Sequence, residues 1–194
     1  MAAKNTSREV RIIGGKWKGR KIRFRGNSTL RPTPGRTRET LFNWLRPHIE
    51  GAHCLDLFAG SGVLGFEALS QGAAFVSFVE KNRTTLGTLN DVAGLLDCGA
   101  AASFHGLDAR RYLRTLREGT SFDLTFLDPP FDHPGLVVEV LEIAAQRDIQ
   151  LGYVFIETGD PAMTITRVES MGWHQHKATR AGDSHAYLFT QGFC

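Results

Sequence analysis

From His53 onward the chain alternates short apolar runs with helical patterns, and this alternation limits the possible folds more than any other feature. The runs CLDLF, AAFVSFVE, AASFH, FDLTFLD and LGYVFIE read as strands, because they are rich in β-branched, aromatic and other apolar residues. Between them VLGFEALSQ, NRTTLGTLNDVAGLL, DARRYLRTLR and PGLVVEVLEIAAQ carry apolar residues at helical spacing. Repeated strand–helix units predict an α/β fold, a parallel sheet with helices on both faces and right-handed crossovers. Ligands of such sheets bind beyond the C-terminal ends of the strands. The tail, GWHQHKAT then RAGDS then HAYLFT, reads as an antiparallel hairpin.

With 194 residues the chain has the size of one ordinary domain with a small appendage. It contains no apolar stretch long enough to span a bilayer, and its N-terminus, MAAKNTSREV, has no apolar signal core. Cys54, Cys98 and Cys194 are too widely spaced for a disulfide framework or a zinc pattern. These features predict a soluble, reduced, cytoplasmic protein with no membrane partner.

Charge divides the chain. Residues 1–40 hold twelve Lys or Arg against two acids, a balance of +10, whereas residues 41–194 hold eleven against eighteen, a balance of −7. Such a cationic segment points to a polyanionic partner, since phosphates release counterions when Lys and Arg approach. In VRIIGGKWKGRKIRF, Gly14-Gly15 stands between two β-rich runs and predicts a hairpin turn. Lys16, Trp17, Lys18, Arg20, Lys21 and Arg23 then form a basic, aromatic-bearing ribbon suited to a nucleic-acid backbone. In RPTPGRTRETLFNWL, Thr33 is expected to cap a helix with Pro34 at its first position, and Leu41, Phe42, Trp44 and Leu45 to dock on the next domain. The expected organisation is a basic extension over 1–40 and an α/β domain over 41–194.

Asp56-Leu57-Phe58-Ala59-Gly60-Ser61-Gly62 ends the first strand of the alternation. Its glycines let the backbone approach a ligand and turn into a helix whose N-terminus has free N–H donors. Gly60, Gly62 and Gly65 satisfy G-x-G-x-x-G, and Glu80 ends the next strand, where it can accept from ribose hydroxyls. These residues predict a nucleoside ligand and leave open which one, a nicotinamide dinucleotide included.

Asp128-Pro129-Pro130-Phe131 ends the fourth strand. Two prolines donate no main-chain hydrogen bonds and hold a rigid, extended corner, which fixes the Asp carboxylate and the Pro129 carbonyl as two acceptors in one place. The aromatic after them can stack on a planar ring. Two acceptors beside a stacking ring suit an exocyclic amino group.

DLFAGSG, an acid ending the second strand and DPPF ending the fourth resemble S-adenosylmethionine-dependent methyltransferases acting on planar amino groups. RIIGGKWKGRKI, RPTPGRTRETLFNWL, CLDLFAGSGVLGFEAL and FLDPPF, in that order from Val10 to Phe131, resemble the ribosomal small subunit methyltransferase D family. The chain departs from that family's pattern at Gly35, where an acidic residue is common. The resemblance implies a Rossmann-like class I methyltransferase sheet and methylation of N2 of one guanine in 16S ribosomal RNA of the small subunit; the chain is expected to act as a monomer. It further implies that Asp56, Phe58, Gly60 and Gly62 hold the methionine part of S-adenosylmethionine, that Glu80 binds its ribose and that Asp108 accepts from its adenine amino group. Asp128 through Phe131 would hold the target base. Arg36 would reach the cofactor and Arg38 the RNA. No metal is implied.

Two rivals within the class are adenine N6 of DNA and a protein amide as acceptors, although no stretch here is long enough for a separate DNA-recognition domain. A nicotinamide-dependent oxidoreductase would leave DPPF and the basic segment without a role. His174 and His176 lack a third ligand for a metal, and Arg110, Arg111, Arg114 and Arg117 read as a solvated face that could extend an RNA track.

Overall fold

The computed structural model describes residues 6–26, 33–130, 133, 135–182 and 184–191. An antiparallel ribbon of β1 (Thr6–Arg11) and β2 (Lys21–Gly26) is followed by α1 (Gly35–Leu45). The alternation then runs β3 (His53–Asp56), α2 (Val63–Ser70), β4 (Phe75–Val79), α3 (Arg83–Leu96), β5 (Ala102–His105), α4 (Ala109–Thr115), β6 (Ser121–Leu127), α5 (Leu136–Gln146) and β7 (Gln150–Thr158). It closes with α6 (Pro161–Ser170), β8 (Trp173–Ala181) and β9 (Ser184–Gln191). Among the described residues no helix is long and apolar enough to cross a membrane.

The large sheet has the order β5-β4-β3-β6-β7-β9-β8. Strands β5 to β7 are parallel, and β9 runs antiparallel to both β7 and β8. This is the expected doubly wound α/β sheet with its C-terminal antiparallel hairpin. The chain starts outward from β3 to β5 and then returns to β6, so the crevice where the direction switches lies between β3 and β6.

Alternation along the strands divides the core. Cys54, Phe78, Leu124, Phe126 and Phe155 face one cluster shared with α1, α2 and α3, and Leu55, Leu127, Val154 and Ile156 face the other, shared with α4, α5 and α6. The apolar face of α1 docks as expected, with Leu41, Phe42 and Leu45 buried and the Phe42 ring 6.1 Å from that of Phe126.

The N-terminal ribbon differs from the expectation in its turn and its independence. Gly14-Gly15 is not a two-residue hairpin turn; the connection runs from Ile12 to Arg20 and contains a single 3-10 turn at Gly15–Trp17. Ile12, Trp17 and Ile22 are buried in the same core as α2 and β3, each adding about 1.5–3 kcal/mol by leaving water. A boundary at residue 40 would fall inside α1. Thr33 does not cap α1, because Pro34 occupies the cap position and Gly35 starts the helix. Helix α6 had no counterpart in the pattern reading, although Asp160 caps it and Pro161 opens it.

Candidate active site

Strand register gathers the acids. Asp56 pairs with Phe78 on β4 and Phe126 on β6, and Phe126 pairs with Phe155 on β7. Paired residues of parallel strands share a face, and so do positions two apart. Glu80, Asp128 and Glu157, each two residues beyond those phenylalanines, therefore stand with Asp56 on one face at the C-terminal edge of the sheet, beside the β3–β6 crevice.

Asp56 is buried, and its Oδ2 accepts from the Gly65 N–H at 3.1 Å, in the first turn of α2. Burial, and secondarily Glu80, outweigh that bond and push its carboxyl up to about 7. Phe58 is partly buried. Gly62 carries a φ of 73°, and a Cβ there would sit 2.5 Å from Leu89 and 2.6 Å from Phe66. Gly65 needs to be small for another reason: a Cβ would lie 2.2 Å from the Phe78 ring, so its absence lets α2 lie close on β4. Glu80 spans the turn, with Oε2 accepting from Gly60 N–H at 3.0 Å and Oε1 from Asn82 N–H at 2.7 Å. Its two oxygens side by side suit a vicinal diol.

Asp108 follows β5 and caps α4, accepting from the Arg110 backbone N–H at 3.1 Å and from Arg110 Nε at 3.0 Å. Arg110 holds the Asp108 carboxyl below the usual range and also donates to Glu139 at 3.1 Å. That leaves Arg110 largely committed within the protein.

Asp128 is partly buried, Pro129 buried and Pro130 exposed, while Phe131 lies outside the described residues. Asp128 Oδ2 accepts from Thr33 Oγ at 2.9 Å. Burial, followed by the Glu157 carboxylate, holds the Asp128 carboxyl well above the usual range against the pull of that hydroxyl. A cleft at this corner is lined by Pro129, Pro130, His133, Glu157 and Thr158 among others.

Two expectations for the N-terminal segment need correction. Arg38 does not face solvent; it is 4% exposed and donates to Glu67 at 3.3 Å and to the Arg11 carbonyl at 3.2 Å. Trp17 is 6% exposed, with its body in the core, so it offers no free face for stacking a base. Lys16, Lys18, Arg20, Lys21 and Arg23 do lie on the surface, and so does Arg36 in the first turn of α1. Glu9 pairs with Lys21 at 2.6 Å and with Arg23 at 3.4 Å, and Arg20 donates to the Leu95 carbonyl at 3.1 Å. Among the described residues no group of three or more His, Cys, Asp or Glu is arranged to hold a metal ion.

Three residues make contacts that spacing along the chain does not reveal. Glu67, an acid inside the apolar run VLGFEALS, is fully buried and accepts from Ile13 N–H at 3.0 Å, Gly14 N–H at 2.7 Å and Arg38. Thr33 reaches Asp128 across 95 residues of sequence. Glu157 ends an apolar run just as Glu80 and Asp128 do, and that shared position was its available signal.

The family model described as Conserved hypothetical protein 95 matches residues 10–190. A ribosomal RNA small subunit methyltransferase D of Haemophilus influenzae is 40% identical over 165 residues, 82% of this chain and 85% of that protein. The chain belongs to the ribosomal RNA small subunit methyltransferase D family. The Escherichia coli protein of the same name is 39% identical over 180 residues, 91% of this chain and 87% of its own. A solved structure of a candidate methyltransferase from Escherichia coli superposes with a TM-score of 0.77 at 34% identity, covering 94% of this chain and 97% of that one. The sheet is thus the class I methyltransferase sheet that the motifs imply.

Proposed function

We propose that the protein transfers a methyl group from S-adenosylmethionine to the exocyclic N2 of one guanine in 16S ribosomal RNA of the small subunit or its precursor. The observation that carries this reading is the pairing of β3 with β6, which sets the Gly60–Gly62 turn beside the Asp128-Pro129-Pro130 corner. The names of the relatives support ribosomal RNA as the acceptor.

The residues fit the cofactor. The Gly60–Gly62 turn and the carboxylates of Asp56 and Glu80 suit a nucleoside bearing a cationic amino-acid tail, because positive charge offsets the burial and the Glu80 repulsion that raise Asp56. Glu80 would hold the ribose hydroxyls, Asp108 the adenine amino group, and Phe58 and Arg36 would flank the cofactor. S-adenosylmethionine supplies the activated methyl group.

A guanine amino lone pair is delocalised into the ring and is a poor nucleophile. Asp128 and the Pro129 carbonyl accept its two hydrogens and favour a tetrahedral nitrogen, so catalysis comes mostly from positioning. The raised Asp128 carboxylate is also a stronger base than a free one, which suits it to take the proton that the methylated nitrogen loses or to pass it to water. Phe131 would stack on the base. Lys16, Lys18, Arg20, Lys21 and Arg23 would track the RNA backbone. The base must leave its stack to reach this corner, at a cost of a few kcal/mol.

The test is methyl transfer from labelled S-adenosylmethionine to undermethylated small subunits, followed by nucleoside analysis of the digested RNA. Label in N2-methylguanosine is expected. Label in another nucleoside, or none in RNA from an enzyme that binds S-adenosylhomocysteine, contradicts the reading.

A further inference from the structure

We propose that Glu157 is the specificity-determining residue of this site, its carboxylate accepting the ring N1–H of the target guanine while Asp128 accepts from the N2 amino group. The inference rests on the guanine reading above and adds the means of choosing that base.

Three observations bring Glu157 to the base. Leu127 pairs with Ile156 across β6 and β7, so Asp128 and Glu157 are the next residues in the same parallel register, on one face and one strand spacing apart, about 4.8 Å. The cleft at the Pro129-Pro130 corner is lined by Glu157 as well. Ser184, at the start of β9, donates to Glu157 Oε1 at 2.5 Å and so fixes the carboxylate's orientation at the strand end.

The chemistry then selects one base. Among the common bases that bear an exocyclic amino group, adenine and cytosine place a ring nitrogen lone pair beside it. Guanine alone places a ring N–H beside its N2 amino group, so its edge offers adjacent donors. Two adjacent carboxylates complement that edge. They also repel the other two bases, because a ring lone pair would face an anion with no proton between them. Two like charges in adjacent register cost stability, and such a cost is typical of a site that handles a ligand.

The test exchanges a single donor for an acceptor in the substrate. Once the methylated position is mapped, small subunits are reconstituted with 16S RNA carrying either guanosine or 2,6-diaminopurine riboside there. Both bases have the 2-amino group, but diaminopurine has a lone pair at N1. The wild-type enzyme is expected to favour guanosine by about a hundredfold in kcat/KM. Glu157→Gln, whose amide can donate to N1, is expected to shrink that ratio at least tenfold, with part of the change being a gain on diaminopurine. A ratio left unchanged, with both substrates slowed alike, would overturn the proposal. Ser184→Ala, which removes the bond that orients the carboxylate, provides a second readout: a reduced ratio supports the proposal and an unchanged one opposes it. If the wild-type enzyme labels neither base, the guanine reading itself fails and Glu157's role falls with it. Melting temperature and S-adenosylhomocysteine binding of each variant separate these results from misfolding.

Discussion

Two groups of buried charge in this molecule are held in opposite ways. At Glu67 the compensation is internal: a guanidinium and two backbone N–H groups converge on one carboxylate and tie the connection of the N-terminal ribbon to α2. At the C-terminal edge of the sheet, Asp56, Asp128 and Glu157 stand with Glu80 on a single face; burial and then Glu80 push up the Asp56 carboxyl, and burial and then Glu157 push up that of Asp128. The first arrangement is complete within the chain and serves folding. The second keeps like charges together, and the proposed site rests on that arrangement.

Removing one carboxylate from each place separates the two arrangements. Asp128→Ala should lower methyl transfer roughly a thousandfold, as expected for a positioned acid–base group, while its melting temperature stays level or rises because a like charge is gone. Glu67→Ala should do the reverse. It leaves Arg38 buried without its carboxylate, which costs about 3–5 kcal/mol and lowers the melting temperature by on the order of 10 °C. A stable Glu67→Ala enzyme, or an Asp128→Ala enzyme that melts early, would erase the distinction. The smallest effect belongs to the surface cations. Replacing Lys16, Lys18 and Arg23 by Ala should weaken RNA binding and reduce the log–log salt slope by about 0.7–0.9 per lost phosphate contact, with cofactor affinity unchanged. An unchanged slope would remove the ribbon from the RNA interface.

The strands and their order of appearance were legible because apolar runs stop at Glu80 and Asp128 and the CLDLF run, with Asp56 inside it, breaks at Gly60-Ser61-Gly62. Spacing along a chain does not reveal which neighbour a strand takes, and Glu157 acquires its meaning only from the β6–β7 register. Arg38 and Trp17 were misjudged for a related reason. A basic, aromatic run declares its charge, but only the packing against α2 decides which residues turn inward. Thr33 was legible only as a candidate helix cap, and its bond to Asp128 was not, since the two meet only after the sheet closes. Helix α6 is signalled in the sequence by Asp160-Pro161, a cap followed by a first-turn proline.

If the edge carboxylates are poised for a cation, S-adenosylmethionine binding releases a proton. With its carboxyl raised to about 7, Asp56 is largely protonated at pH 6 in the free protein, and a cationic ligand that favours the charged form must displace the proton. Calorimetric titration of S-adenosylmethionine at pH 6, in buffers of different ionisation enthalpy, is predicted to show net release of a substantial fraction of a proton, diminished in Asp56→Asn. Binding with no proton exchange, or with net uptake, would contradict the account.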